Sequence, residues 1–187
     1  MLYLSAGHTG PHTGAQCATV APRFDEGSET IRLRDAVAAV LTTRYHIAVL
    51  TDQDTMRLSL LCQQINDAAA FASNIVCVDL HFNASTQATA HGTEVIVADD
   101  ASDLEVALAV RLLNATARTL GTNRRGVRTE SQTPRRRLAI LHLDCPSVIL
   151  EICFATSQTD TDAYRRQFDT LVDQLAQTIA QFINLSL

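Results

Sequence analysis

Short apolar runs alternate with longer segments of helical periodicity from one end of the chain to the other. The apolar runs are rich in valine, isoleucine and leucine and have the length of strands, which favours a sheet buried on both faces. We predict strands at residues 1–6, 47–50, 75–82, 95–97 and 147–153. The short apolar segment at residues 138–141 is compatible with either a helix or a strand.

The segments between these runs predict helices. In residues 26–45 apolar side chains recur at intervals of three and four, and acidic residues in the first turn suit the helix dipole. Ser102 is a plausible N-cap for a helix that runs to about Leu120 and is stopped by Gly121. Further helices are predicted at residues 54–72 and 162–183. Alternating strands and helices are typical of an α/β domain.

Length and composition fit one globular domain that spans residues 1–187. Hydrophobic residues make up 47% of the chain and charged residues 19%, so it is neither disordered nor a coiled coil. The five cysteines include no CxxC pair, and we expect them to be reduced and structural. No window approaches the ~20 apolar residues of a membrane span. The N-terminus lacks the basic region of a secretory signal, so we expect synthesis in the cytoplasm.

The charge distribution argues against a nucleic-acid partner. Twenty acidic residues oppose fifteen basic ones, all arginine, which gives a net charge of −5. Six of the arginines lie between residues 124 and 137, in a segment that we predict to be a loop. Such a run either solubilises the surface or binds an anionic group, because the planar arginine fork suits carboxylates and phosphates.

Titratable side chains stand where several apolar runs end. His8 follows the first run, His81 lies at the end of the third, and Glu151 is embedded near the end of the last, while Glu26 opens the first predicted helix. The carboxyl ends of parallel strands share one edge of a sheet, so we expect these groups to converge there. Two histidines and two glutamates suit a catalytic zinc site with a carboxylate base. Taken singly, each histidine and Glu26 also fit structural roles, whereas a carboxylate within an apolar run costs several kcal/mol unless it is paired or bound to metal.

Three segments resemble the zinc-dependent N-acetylmuramoyl-L-alanine amidases, a catalytic-domain family shared by bacterial cell-wall hydrolases and phage endolysins. Residues 5–15, SAGHTGPHTGA, are similar to the family's SAGHGGxDPGA. Residues 79–85, DLHFNAS, are similar to SIHFNAS and are followed by GTEV at 92–95. Residues 146–154, PSVILEICF, are similar to PAVLLEIGF. RGVR at 125–128 and LAIL at 138–141 resemble the family's RGVK and LAIL, so the order agrees over nearly the whole chain.

The resemblance implies roles for individual residues. His8, His81 and the glutamate that opens the first helix would bind Zn²⁺, and Glu151 would be the catalytic carboxylate. That glutamate is either Glu26 or Glu29, and Glu26 is favoured because it stands at the turn where the family places its ligand.

The resemblance also implies the substrate. It is peptidoglycan, and the bond that is cut joins the lactyl carbonyl of N-acetylmuramic acid to L-alanine of the stem peptide. Asn83 would orient this amide, and Arg125 or Arg128 would hold a free carboxylate of the stem. We expect a monomer that acts on the cell wall, either as a phage or prophage lysin released across the membrane by another protein or as a bacterial housekeeping enzyme.

The expected fold follows from the resemblance together with the alternation of elements. It is a single three-layer α/β domain with a mixed, mostly parallel central sheet and helices on both faces. The zinc site would lie at the carboxyl ends of the strands.

Some positions depart from the family pattern. Thr9, His12 and Thr13 replace glycine, aspartate and proline of the opening motif, and Cys153 replaces the glycine after Glu151. All proposed ligands are retained, so these changes concern loop shape more than chemistry. His12 is expected to face solvent or substrate, with metal binding as the alternative.

Two other functions fit the same residues. A zinc exopeptidase with a related sheet would use similar ligands on free peptides. A non-catalytic peptidoglycan-binding module would keep the fold without cutting, although the complete set of histidines and glutamates argues against it.

Overall fold

A six-stranded β-sheet forms the centre of the fold. The structure, a computed structural model, describes residues 1–8, 13–54, 56–72 and 74–186. A separate pair of two-residue strands connects the first strand of the sheet to the first helix. The strands are β1 (Leu2–Ala6), β2 (Gln16–Cys17), β3 (Phe24–Asp25), β4 (Val49–Thr51), β5 (Val76–Asn83), β6 (Thr93–Val97), β7 (Arg124–Thr129) and β8 (Ser147–Phe154).

The sheet is mixed and mostly parallel, as predicted. Its strand order is β4-β1-β5-β8-β6-β7. The strands β4, β1, β5 and β8 run parallel to one another. Strand β6 is antiparallel to β8, and β7 is parallel to β6. The carboxyl ends of β1, β5 and β8 therefore meet at one edge of the sheet.

Helices cover both faces of the sheet, which confirms the three-layer arrangement. The helices are α1 (Glu26–Tyr45), α2 (Leu58–Phe71), α3 (Asp103–Leu120) and α4 (Gln158–Ser186). Helices α1, α3 and α4 share one apolar cluster with one face of the sheet, and α2 shares a second cluster with the other face. A turn of 3-10 helix at Ala139–Leu141 joins the second cluster. No helix in the described ranges has the length and apolarity needed to cross a membrane.

Helix ends agree with the sequence prediction where a local signal marks them. In α3, Ser102 and Glu105 form a capping box, and Gly121 ends the helix in the left-handed region. Helix α2 starts at Leu58, later than predicted, and the carboxylate of Asp54 pairs with Arg34 at 2.7 Å. Helix α4 starts at Gln158, earlier than predicted.

The prediction of a loop at the start of the arginine-rich segment was wrong. Residues 124–129 form strand β7, which pairs with β6 along the edge of the sheet. Its sequence RRGVRT has no alternation of apolar and polar residues. An edge strand tolerates such a sequence because its charged side chains reach solvent.

A buried ion network fixes the end of β1. Arg34 of α1 is 4% exposed and lies 3.2 Å from Oδ1 of Asp52, which is also buried. The same Asp52 oxygen accepts a hydrogen bond of 3.0 Å from the backbone N–H of Ala6, the last residue of β1. The network therefore holds the strand end from which His8 follows.

Arg34→Met should destabilise the protein by about 3 kcal/mol, because it leaves the buried Asp52 carboxylate without its cationic partner. Urea unfolding measures this change. Arg44→Met in the same helix is the matched control, since Arg44 pairs with Asp173 at the exposed surface. Its effect should be far smaller, because exposed ion pairs contribute little. Equal losses in the two variants would contradict this account of the network.

Candidate metal centre and adjoining groove

Three side chains from separate elements meet around one point. His8 follows β1, His81 lies near the end of β5, and Glu26 is the first residue of α1. Oε1 of Glu26 is 3.1 Å from Nε2 of His8 and 3.3 Å from Nδ1 of His81. One ligand atom from each of the three side chains lies within 4.8 Å of the others. Two imidazoles and one carboxylate at this spacing can hold a metal ion.

The backbone holds the Glu26 carboxylate in place. Oε2 accepts a 2.6 Å hydrogen bond from the N–H of Ala15, and Oε1 accepts one of 2.9 Å from the N–H of Phe82. Burial of this side chain alone would raise its pKa, but the hydrogen bonds and charges of His8 and His81 outweigh burial and hold the pKa well below its usual range. Glu26 is therefore ionised across the working range of most enzymes.

Two glycines make room for the cluster. A Cβ at Gly7 would lie 1.9 Å from Nε2 of His81. Gly14 has a φ of +71°, and a Cβ there would lie 2.5 Å from Oε2 of Glu26. Both positions belong to the opening segment SAGHTGPHTGA, so the spacing of its glycines has a steric cause.

Asp79 orients His81 from within the same strand. Its Oδ2 lies 3.1 Å from Nε2 of His81, on the side of the ring opposite the nitrogen that faces Glu26. Burial lowers the pKa of His81, but the carboxylates of Asp79 and Glu26 raise it well above its usual value. A carboxylate on the second ring nitrogen fixes the tautomer of a metal-binding histidine. This role was not predicted from the sequence, although the spacing of two residues places both side chains on one face of a strand.

Glu151 lies beside this cluster. It is paired with His81 across β5 and β8 and with Glu94 across β8 and β6. Its Oε2 is buried and has no hydrogen-bond partner among the residues that the structure describes. Burial raises its pKa to about 7, and the nearby Glu26, Glu94 and Asp79 add to the effect against the lowering influence of His81. Glu151 therefore exchanges a proton near neutral pH.

Glu94 accepts hydrogen bonds from Asn83 and Arg125, the two residues predicted to contact substrate. Nδ2 of Asn83 donates to its Oε1 at 2.7 Å, and Nε of Arg125 donates to its Oε2 at 2.7 Å. Nε of Arg128 lies 3.3 Å from the same Oε2. Glu94 was not identified from the sequence, although it stands within the GTEV segment. The substrate-binding roles of Asn83 and Arg125 stay predictions, since both side chains have a partner inside the protein.

A groove of about 1010 Å³ runs from the histidines to the arginines of β7. It lies on the α2 face of the sheet, since Ile96 and Ile149 of the second apolar cluster line it. Arg128 and Arg135 also line the groove. The groove is large enough for a peptide or glycan fragment.

The remaining candidates lie elsewhere or outside the described residues. Glu29, the alternative to Glu26, accepts a 3.1 Å hydrogen bond from the hydroxyl of Tyr164 and is an ion-pair partner of Arg32. His12 falls outside the described residues, as does Thr9. Cys153 is fully buried in β8, two residues after Glu151.

Comparison with known proteins identifies one family. The sequence matches the family described as N-acetylmuramoyl-L-alanine amidase over residues 2–184. No curated protein sequence matches the chain significantly.

Solved structures of several such enzymes share the fold. An N-acetylmuramoyl-L-alanine amidase from Clostridium difficile 630 superposes with a TM-score of 0.75 at 21% identity, over 97% of this chain and 93% of the other. An amidase of Nostoc punctiforme gives a TM-score of 0.77 at 19% identity, with 98% and 96% covered. The catalytic domain of an endolysin targeting Clostridia difficile gives 0.71 at 18% identity, with 96% of both chains covered.

Glu151→Gln should stabilise the chelator-treated protein at alkaline pH and change it little at acid pH. The folded-state pKa of about 7 lies above the ordinary value of 4.5, so the folded carboxyl binds its proton more tightly than the unfolded one. The wild type then loses stability as pH rises from 4.5 to about 7, and glutamine does not. Thermal unfolding of both proteins at pH 5, 6, 7 and 8 (roughly the window set by the two values) measures the difference. A constant gap between the two curves would contradict the raised pKa.

Proposed function

Since this chain belongs to the N-acetylmuramoyl-L-alanine amidase family, we propose that it is a zinc-dependent amidase of peptidoglycan. The bond it cleaves joins the lactyl carbonyl of N-acetylmuramic acid to the amino group of L-alanine. The observation that carries the proposal is the meeting of His8, Glu26 and His81 beside the partly ionised Glu151.

The residues present fit a zinc ion. Two imidazole nitrogens and one carboxylate oxygen are the ligands of many catalytic zinc sites, which leave a further position open. The carboxylate is held by two backbone N–H groups, and Gly7 and Gly14 supply the room that the ligands need. His8, Glu26 and His81 would hold the ion, and Asp79 would orient His81. When bound, zinc lowers the pKa of water and polarises a carbonyl group.

Glu151 is the residue that moves the proton in this proposal. With a pKa of about 7, it is ionised often enough at neutral pH to accept a proton from the attacking water. The protonated carboxyl then donates that proton to the departing amine of L-alanine. Its partnerless Oε2 is the atom that suits this exchange.

Asn83 and Arg125 are proposed as supports of the substrate site. Their shared partner Glu94 holds them along the wall of the groove next to Glu151. Arg125 also lies over the ring of Phe154, with its Cζ 4.9 Å from the ring centroid, which further limits its motion.

His8→Ala and His81→Ala should each lower the zinc content of the purified protein, because each removes one of three ligands. Elemental analysis after dialysis measures bound zinc. Glu26→Gln should lose zinc as well, whereas Glu29→Gln, the matched control three residues along α1, should keep it. Full zinc occupancy in both histidine variants would contradict the proposed metal centre.

Glu151→Gln should keep its zinc and lose roughly 10²- to 10⁴-fold in turnover of peptidoglycan, the range that a general base supplies. Release of soluble fragments from purified cell walls measures turnover, with Glu29→Gln as the active control. The products of the wild type should be glycan with intact muramic acid and stem peptides with a free N-terminal alanine. Release of single amino acids would indicate an exopeptidase, and binding without cleavage would indicate a wall-binding module.

A further inference from the structure

The two ends of the groove are lined by different charged groups. Among the described residues that line it, carboxylates predominate at the histidine end and arginines at the β7 end. The carboxylates of the first end are Glu26, Asp79 and Glu151, and the arginines of the second are Arg125, Arg128 and Arg135. The arginine end contains one carboxylate among its described lining residues, that of Glu94. A ligand that fills the groove therefore meets excess positive charge away from the reacting bond.

The side chain of Arg125 is held by contacts within the protein. It donates to Glu94 at 2.7 Å and lies over Phe154. The other oxygen of Glu94 is taken by Asn83. This arrangement makes Arg125 a fixed part of the wall.

Arg128 differs from Arg125 because the Glu94 oxygen that it contacts already accepts a hydrogen bond from Arg125. Its Nε lies 3.3 Å from the Glu94 oxygen that Arg125 contacts at 2.7 Å, and its side chain is 39% exposed. Two guanidinium groups on one carboxylate leave one positive charge in excess. A guanidinium has five N–H donors, and among the described residues Arg128 has no other acidic partner. It can therefore receive an anionic group from the groove.

The strand register gives the distance between Arg128 and Glu151. Arg128 pairs with Ile96 of β6, and Ile96 pairs with Ile149, two residues before Glu151 in β8. Two interstrand steps of ~4.8 Å, combined with two residues along the strand, place the Cα atoms of Arg128 and Glu151 roughly 12 Å apart. Two extended peptide residues cover about 7 Å, and an acidic side chain on the second residue reaches across the remainder.

We propose that Arg128, beside Arg125, forms a subsite for a free carboxylate on the second residue of the stem peptide, counted from the residue whose amino group the amidase frees. The inference rests on the proposed function. It makes the protein selective for peptides that carry this carboxylate over peptides in which the same group is a carboxamide. The bidentate fork of arginine suits a carboxylate, and a carboxamide lacks the charge.

Kinetics with two N-acetylmuramoyl dipeptides, both with the C-terminal carboxyl blocked as a carboxamide and differing only in glutamate or glutamine at the second residue, test the subsite. The wild type should have about a tenfold lower KM for the acid than for the amide, the ratio expected of one hydrogen-bonded ion pair. Arg128→Gln should abolish the ratio by raising KM for the acid alone, with kcat unchanged. An unchanged ratio in Arg128→Gln, or an equal rise of KM for both peptides, would overturn the proposal.

Arg124→Gln is the matched control. Arg124 lies on the same strand, is exposed and is not among the groove-lining residues, so the substitution should keep the wild-type ratio. Arg128→Lys should keep part of the preference, because it retains the charge without the fork. Thermal unfolding of each variant separates a loss of binding from a loss of folding.

A direct binding measurement tests the carboxylate subsite independently of the proposed amidase reaction. Calorimetric titration of the zinc-loaded Glu151→Gln variant with the same two dipeptides requires no turnover. Tighter binding of the acid by about tenfold, lost on adding Arg128→Gln, would support the subsite even if the wild type cleaved neither peptide. Equal binding of acid and amide would overturn the subsite even if the wild type cleaved both.

Discussion

The buried negative charge of Glu26 is the constraint on which the site depends. A carboxylate that is 3% exposed is costly unless donors surround it. Here the donors come from three parts of the chain: the backbone after Gly14, the backbone of β5 and the two imidazoles. The first residue of α1 is thereby tied to the ends of β1 and β5. A cation held by these ligands would add a further partner for the same charge.

Three other carboxylates lie near this charge, and their partners differ. Asp79 faces His81, and Glu94 is bound by Asn83 and Arg125. Glu151 stands between them, paired in register with His81 and Glu94, and one of its oxygens has no partner in the described part of the chain. Burial raises the pKa of Glu151 to about 7, so the proton of this acid is exchangeable at neutral pH.

Local signals explain which parts of this arrangement could be predicted from the sequence. The bounds of α1 and α3 follow from helical periodicity and from caps such as Ser102 and Gly121. The candidate ligands and Glu151 follow from polar residues at the ends of apolar runs. The role of Asp79 also has a local signal, since it lies two residues from His81 in one strand. Strand β7 and the role of Glu94 have no such signal, because they depend on lateral pairing with strands that are distant in sequence, and β7 carries charged side chains where a strand pattern requires apolar ones.

The arginine-rich segment, residues 124–137, therefore has two parts that are held in place by different interactions. Its first part is strand β7, whose arginines are placed by backbone pairing with β6 and by the buried Glu94. Its second part is closed by Glu130, which is 4% exposed, accepts from the N–H of Leu138 and lies 2.7 Å from Nε2 of His142. This contact joins the two ends of the segment that carries Arg135 along the groove. A ligand therefore meets a wall whose backbone is already ordered, so that binding there costs less conformational entropy than ordering a free loop.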